Sequence, residues 1–182
     1  MREQHIRDPA KPCSKAHHSC NEVLLACSEK ATKEEQIMAM VEREAHVVWE
    51  GNLAEGSGSL SEGSGVLQDA PVTFASRVEQ PDGKTSPEEL IAAAHATCYA
   101  MALSFTLAGK DTPPEQLEVD AVCTLDDEQL KITTMDLNVR GRVSGISEEE
   151  FENAAREAEQ LCPVSNALRG NLEIRLQTRL ES

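Results

Sequence analysis

Aromatic side chains are scarce in this 182-residue chain: one tryptophan, one tyrosine and three phenylalanines, 3% of the total. Its core must therefore be mainly aliphatic. Basic residues are also few, 17 Lys and Arg against 32 Asp and Glu, for a formal net charge of -15. A surface of that sign argues against nucleic acid or an anionic membrane as partner, since both select basic faces. No run of about 18 consecutive apolar residues occurs, so no membrane-spanning segment is expected. The stretch Met1-Arg2-Glu3-Gln4-His5 leads into polar sequence without an apolar signal core, so the expected location is cytoplasmic. There the six cysteines read as thiols rather than as a disulfide framework. The run Gly56 to Gly65 lacks the G-x-G-x-x-G spacing and no helix follows it, which removes a nucleotide site.

What is present centres on Ser86 to Lys110. Ser86 suits an N-cap, Pro87 the first helical position, and Glu89 completes a capping box. Between Leu90 and Leu107 no charged residue and no proline interrupts, and Gly109 supplies a stop before Pro113-Pro114. A helix of about 22 residues that is apolar nearly all round is expected to be buried. Cys98 sits within it, where the plainest reading is a small core residue.

Residues 1–40 differ in character, holding three of the six cysteines and three of the five histidines. Cys13, Cys20 and Cys27 recur at sevens. With His17 and His18 they offer soft ligands suited to zinc, but no close C-x-x-C knuckle. A flexible or partly helical extension over residues 1–43 is the expectation, with Thr32 to Val41 helical.

From Ala45 the pattern turns to strand. His46 to Glu50 alternates and ends at Gly51-Asn52, and Gly56 to Gly65 suits turns or a mobile loop. Pro71 to Glu79 reads as a strand carrying Arg77. After the long helix, Leu117, Val119, Ala121, Cys123 and Leu125 share one strand face, which makes Cys123 structural. Leu130 to Val143 returns as its partner, with Met135, Leu137, Val139 and Val143 on one face. Ser147 and Glu150 box the start of a helix from Glu148 to Leu161. Leu172 to Leu180 then alternates as a half-buried strand. The pattern is α+β, with a largely antiparallel sheet packed on a long buried central helix.

Cys162, ahead of Pro163 and the short segment Val164 to Leu168, is placed to cap a helix N-terminus, where backbone N–H groups favour thiolate. Cys98 lies in apolar surroundings that raise a thiol pKa, so as a nucleophile it needs a cationic neighbour. Arg77 is a candidate, with Glu88 able to orient it through a bidentate pair. The plainer alternatives are a solvated strand residue for Arg77 and a helix-dipole partner for Glu88.

The run Thr85-Ser86-Pro87-Glu88-Glu89-Leu90-Ile91-Ala92-Ala93-Ala94-His95-Ala96-Thr97-Cys98 resembles the signature of the osmotically inducible protein C / organic hydroperoxide resistance family. Cys162-Pro163-Val164-Ser165 resembles its second cysteine motif, at the separation that family shows. Val48-Trp49-Glu50-Gly51, Ser64-Gly65-Val66-Leu67 and Phe74-Ala75-Ser76-Arg77 fit the osmotically inducible branch. The other branch takes its arginine from a glycine-rich N-terminal motif, and Gly56 to Gly65 has none.

The resemblance covers residues 44–182 and implies a thiol-dependent peroxidase of organic hydroperoxides, folded as an intertwined homodimer. Matched by motif, Cys98 attacks the peroxide, Cys162 resolves, and Arg77 and Glu88 activate. No metal, flavin or other cofactor is implied; an external dithiol, of lipoyl type, is the expected reductant. An aliphatic pocket along the Ala- and Leu-rich helix suits alkyl hydroperoxides. Two readings compete with this one: a non-catalytic member binding a small apolar ligand, and a metal-responsive module built on the N-terminal Cys/His cluster. On one straight helix Glu88 and Cys98 are separated by roughly 15 Å. Either two helices cross antiparallel near Ala93, sharing each site between subunits, or a bend or loop returns Glu88 to Cys98 within one chain.

Overall fold

The computed structural model describes residues 40–181. The N-terminal Cys/His cluster and most of the Thr32 to Val41 segment lie outside them. The compact unit that carries the candidate residues begins at Glu44.

Two three-stranded sheets are formed. The first comprises β1 (Ala45–Glu50), β2 (Ser57–Glu62) and β3 (Ala70–Thr73), all antiparallel, in that order. Here the glycine-rich run is part strand and part turn: Ser57–Glu62 is β2, and Gly63 to Gly65 makes the expected turn. Gly58 lies opposite Trp49, and a Cβ on it would stand 2.9 Å from the indole ring. The glycine is thus required by close cross-strand packing, and composition alone mistook it for a turn residue.

Pro71 to Glu79 is likewise corrected. It is β3 followed by the short helix α1 (Phe74–Val78), so Arg77 is helical. Thr73 and Ser76 form a reciprocal capping box, at 3.1 and 3.0 Å, which switches the backbone from strand to helix.

The central helix, α2 (Pro87–Ala108), has the expected bounds. Its capping is half of what the sequence suggested: Ser86 Oγ accepts from the Glu89 N–H at 3.2 Å, but no return bond from the Glu89 side chain is formed among the described residues. One face is buried, through Ala92, His95, Tyr99, Leu103 and Leu107 at helical spacing. The other is not, since Met101 is 66% and Phe105 74% exposed. The expected all-round burial therefore fails within one chain. By length and composition α2 is also apolar enough to cross a membrane, which counting consecutive apolar residues did not reveal. Its polar His95 and Thr106 are buried against protein, as in the core helix of a globular domain.

The second sheet follows the order β4 (Gln116–Asp126), β5 (Lys131–Arg142), β6 (Glu173–Glu181). β4 and β5 are antiparallel, and β5 and β6 are parallel. The crossover between the last two strands carries α3 (Glu148–Leu161) and α4 (Pro163–Leu168). The Ser147/Glu150 capping box forms as expected. Met135, Leu137 and Val139 of β5 meet Phe151, Ala154, Ala155 and Ala158 of α3 in one core with Tyr99, Leu103 and Leu107 of α2. Each fully buried large side chain contributes about 1.5–3 kcal/mol. Tyr99 Oη donates to the Ala155 carbonyl at 2.9 Å, tying α2 to α3. The result is α+β with antiparallel pairing throughout except β5–β6, and with two sheets where one was expected.

Candidate active site

Two thiols meet where α2 and α4 adjoin. Cys98, at mid-α2, is partly buried, and Cys162 is fully buried as the N-cap of α4. Cys162 is a joint between helices. Its N–H closes α3 on the Ala158 carbonyl at 2.9 Å, while its Sγ accepts from the Ser165 N–H at 3.5 Å. Pro163, which has no N–H, takes the first helical position without loss. Burial pushes the Cys98 thiol up from its ordinary range, the Val164 backbone N–H opposes that by favouring thiolate, and the adjacent Cys162 thiol pushes it further up. Cys98 is thus within reach of both the α4 N-terminus and Cys162.

Arg77 and Glu88 form the expected bidentate pair. Arg77 Nε donates to both carboxylate oxygens at 3.0 and 3.1 Å, and Nη2 donates to Oε1 at 2.7 Å. Glu88 is buried, and its hydrogen bonds raise the Arg77 pKa. The pair helps tie the β1–β3 sheet and α1 to α2, together with the Val72–Thr85 bridge and the Ser76 Oγ to Thr85 carbonyl bond.

The four expected site residues therefore fall into two groups. Glu88 and Cys98 are ten positions apart on an uninterrupted helix, about 15 Å along its axis. No loop returns Glu88 to Cys98. Among the described residues, the thiol that shares a cavity with Arg77 and Glu88, of about 590 Å³, is instead Cys123. Burial pushes Cys123 up, and the Glu88 charge adds to that. Ser76, Glu79, Glu89 and Asp127 give the cavity a polar lining, unlike the aliphatic pocket expected from α2. An apolar groove does run along α2, past Met101, Phe105 and Leu117, on its exposed side.

Sequence reasoning passed over His95. It is 0% exposed, and a 2.8 Å hydrogen bond joins its Nε2 to the equally buried Ser165 Oγ. Nδ1 has no partner. A buried polar atom left so costs about 1–3 kcal/mol. Burial lowers the His95 pKa and the Glu159 charge partly offsets this, so the ring is neutral at pH 7. The available signal was spacing: His95 lies three residues before Cys98, and Ser165 three after Cys162. Among the described residues no three His, Cys, Asp or Glu side chains gather as a metal-binding set.

Known proteins resemble this chain in sequence and in fold. The family model described as OsmC-like protein matches residues 80–177. Peroxiredoxin OsmC of Escherichia coli (strain K12) is 38% identical over 144 residues, 78% of this chain and 99% of that protein. An organic hydroperoxide resistance protein-like 1 of Staphylococcus epidermidis is 30% identical over 105 residues, 56% of this chain and 75% of that one. Among solved structures, an OsmC like protein from Mycoplasma pneumoniae superposes with a TM-score of 0.63 at 16% identity, covering 79% of this chain and 100% of its own; that likeness concerns the fold alone.

Proposed function

The chain belongs to the OsmC-like protein family, and from that premise we propose that it is a thiol peroxidase that reduces organic hydroperoxides. One observation carries the reading: Cys98 lies beside Cys162, at the N-terminus of α4, whose Val164 N–H favours the thiolate. A structural cysteine pair needs no such donor.

In the first step Cys98 thiolate attacks one peroxide oxygen. The O–O bond breaks, the alkoxide takes a proton and leaves as alcohol, and Cys98 becomes a sulfenic acid. Cys162 thiolate then attacks the Cys98 sulfur, the S–O bond breaks, and hydroxide leaves as water once protonated. An external dithiol, lipoyl-linked in this reading, reduces the disulfide. The chemistry needs no metal or flavin.

Burial alone holds Cys98 protonated, so a cation must offset it. We assign that role to Arg77 of a second copy, oriented by its own Glu88. The exposed Met101 and Phe105 on α2, and Val47, Val48 and Trp49 on β1, are apolar surface that a homodimer would cover. Such an arrangement makes the enzyme a homodimer, with the cytoplasm as its expected compartment. The rival reading as a carrier of small apolar ligands is disfavoured by the charged cavity lining at Arg77 and Glu88.

Consumption of cumene hydroperoxide with a dithiol reductant tests the proposal. Wild type should turn over, Cys98→Ser should consume none, and Cys162→Ser should consume one equivalent and stop with Cys98 oxidised. Undiminished turnover by Cys98→Ser would sink it.

A further inference from the structure

We propose that the buried His95–Ser165 pair is a positioning clamp for the second chemical step, holding Cys162 in register with Cys98 for disulfide closure. The inference rests on the peroxidase reading. The pair spans the same two elements as the thiols. His95 lies one turn before Cys98 on α2, on the same side of that helix, and Ser165 lies in the first turn of α4, which Cys162 caps. Their hydrogen bond, 2.8 Å from Nε2 to Oγ, joins two side chains that are both 0% exposed.

Helix α4 has only six residues, too few to hold its shape unaided. Ser165 serves it twice: its N–H donates to Cys162 Sγ at 3.5 Å, and its Oγ is held by His95. A displacement of Ser165 is therefore transmitted to the thiol that caps it. Disulfide closure tolerates little displacement, because the sulfurs must reach about 2.05 Å with a restricted dihedral angle. Its rate follows the fraction of time Cys162 Sγ spends in line with the Cys98 sulfur, an effective concentration set by the surrounding fold.

Packing alone does not account for the pair. An apolar side chain at position 95 would fill the same space without an Nδ1 that has no partner among the described residues. What histidine adds is a directional bond from α2 to α4. The step it serves is balanced: the S–S bond forms, the S–O bond of the sulfenic acid breaks, and water leaves.

The test separates closure from attack. Reduced protein is mixed with one equivalent of cumene hydroperoxide. Sulfenic acid is trapped with dimedone, and the Cys98–Cys162 disulfide is followed by rapid quench and mass spectrometry. In His95→Leu, His95→Asn and Ser165→Ala, closure should slow by about tenfold or more and dimedone adducts should accumulate, with the attack constant within about twofold of wild type. His95→Gln, whose amide nitrogen reaches the place of Nε2, should restore closure to within about threefold. His95→Asn mimics Nδ1 instead and should not. The thermal midpoint of His95→Leu should hold or rise.

Closure at the wild-type rate in Ser165→Ala overturns the clamp, as does a Gln variant as slow as the Asn one. So does slowing that tracks lost thermal stability across the set. If His95→Leu does not fold, Ser165→Ala, which removes one oxygen atom, decides the matter with the Gln and Asn variants. A wild-type protein that forms no Cys98–Cys162 disulfide with peroxide overturns the peroxidase reading and the clamp together. A wild type that forms it, with variants that close equally fast, overturns the clamp alone.

Discussion

Arg77 and Glu88 have an internal geometry that exposed ion pairs rarely hold, with two donor nitrogens on one buried carboxylate. Two roles fit it. As a structural tie it anchors α1 to α2; as an activating pair it lends a cation to a thiol. The two differ in what Arg77→Ala does to Cys98. Burial raises the Cys98 pKa, so a cation brought to it lowers that value, and removing the cation raises it again. The sign is fixed: the alkylation rate of Cys98 against pH should move its inflection upward in Arg77→Ala. For an inflection higher by about one pH unit, the thiolate fraction at pH 7 should fall about tenfold. A profile that superposes on wild type returns Arg77 to the structural role.

At the scale of elements, α3 docks closely on the second sheet. A Cβ at Gly141 of β5 would stand 2.4 Å from Phe151 Cζ, which is 0% exposed and surrounded by core. The ring lies against the strand backbone and, fully enclosed by core, has little room to yield. Gly141→Ala should therefore destabilise the fold by about 1–3 kcal/mol through overpacking, read from denaturant midpoints. Coupled movement of α3 would also disturb Cys162, whose N–H closes that helix. An unshifted midpoint would mean that Phe151 has another place to go.

At the scale of the whole molecule, one chain holds two groups of candidate residues, Arg77 with Glu88 and Cys98 with Cys162, about 15 Å apart along α2. The run Ala92-Ala93-Ala94 lies between them, and Ala93 and Ala94 are exposed. In the proposed homodimer, small side chains there let two copies of α2 cross closely, which would bring Glu88 of each near Cys98 of the other. A twofold axis makes both sites equivalent. Glu88→Ala and Cys98→Ser, each inactive alone, should recover part of the peroxidase activity when mixed under subunit exchange, because each heterodimer keeps one intact centre. Confirmed exchange without any recovery would show that each site belongs to a single chain.

Local chemistry was enough to read much of this from residues alone. The bounds of α2 followed from Ser86, Pro87 and Gly109, and those of α3 from the Ser147/Glu150 box and Pro163, since caps act over a single turn. Alternation gave β4, β5 and β6, because their two faces meet different surroundings. The place of Cys162 at a helix N-terminus was legible for the same reason. Tertiary contacts decided the rest. Gly58 is a strand residue because Trp49 lies against it, and a strand reading of Arg77 gave way to a helix once Thr73 and Ser76 capped each other. The buried face of α2 was undecidable in a helix apolar nearly all round, which has no moment to orient it; the packing of α3 and β4 selected the side bearing His95, Tyr99 and Leu103. The His95–Ser165 bond joins residues 70 positions apart, a contact that only the folded chain creates.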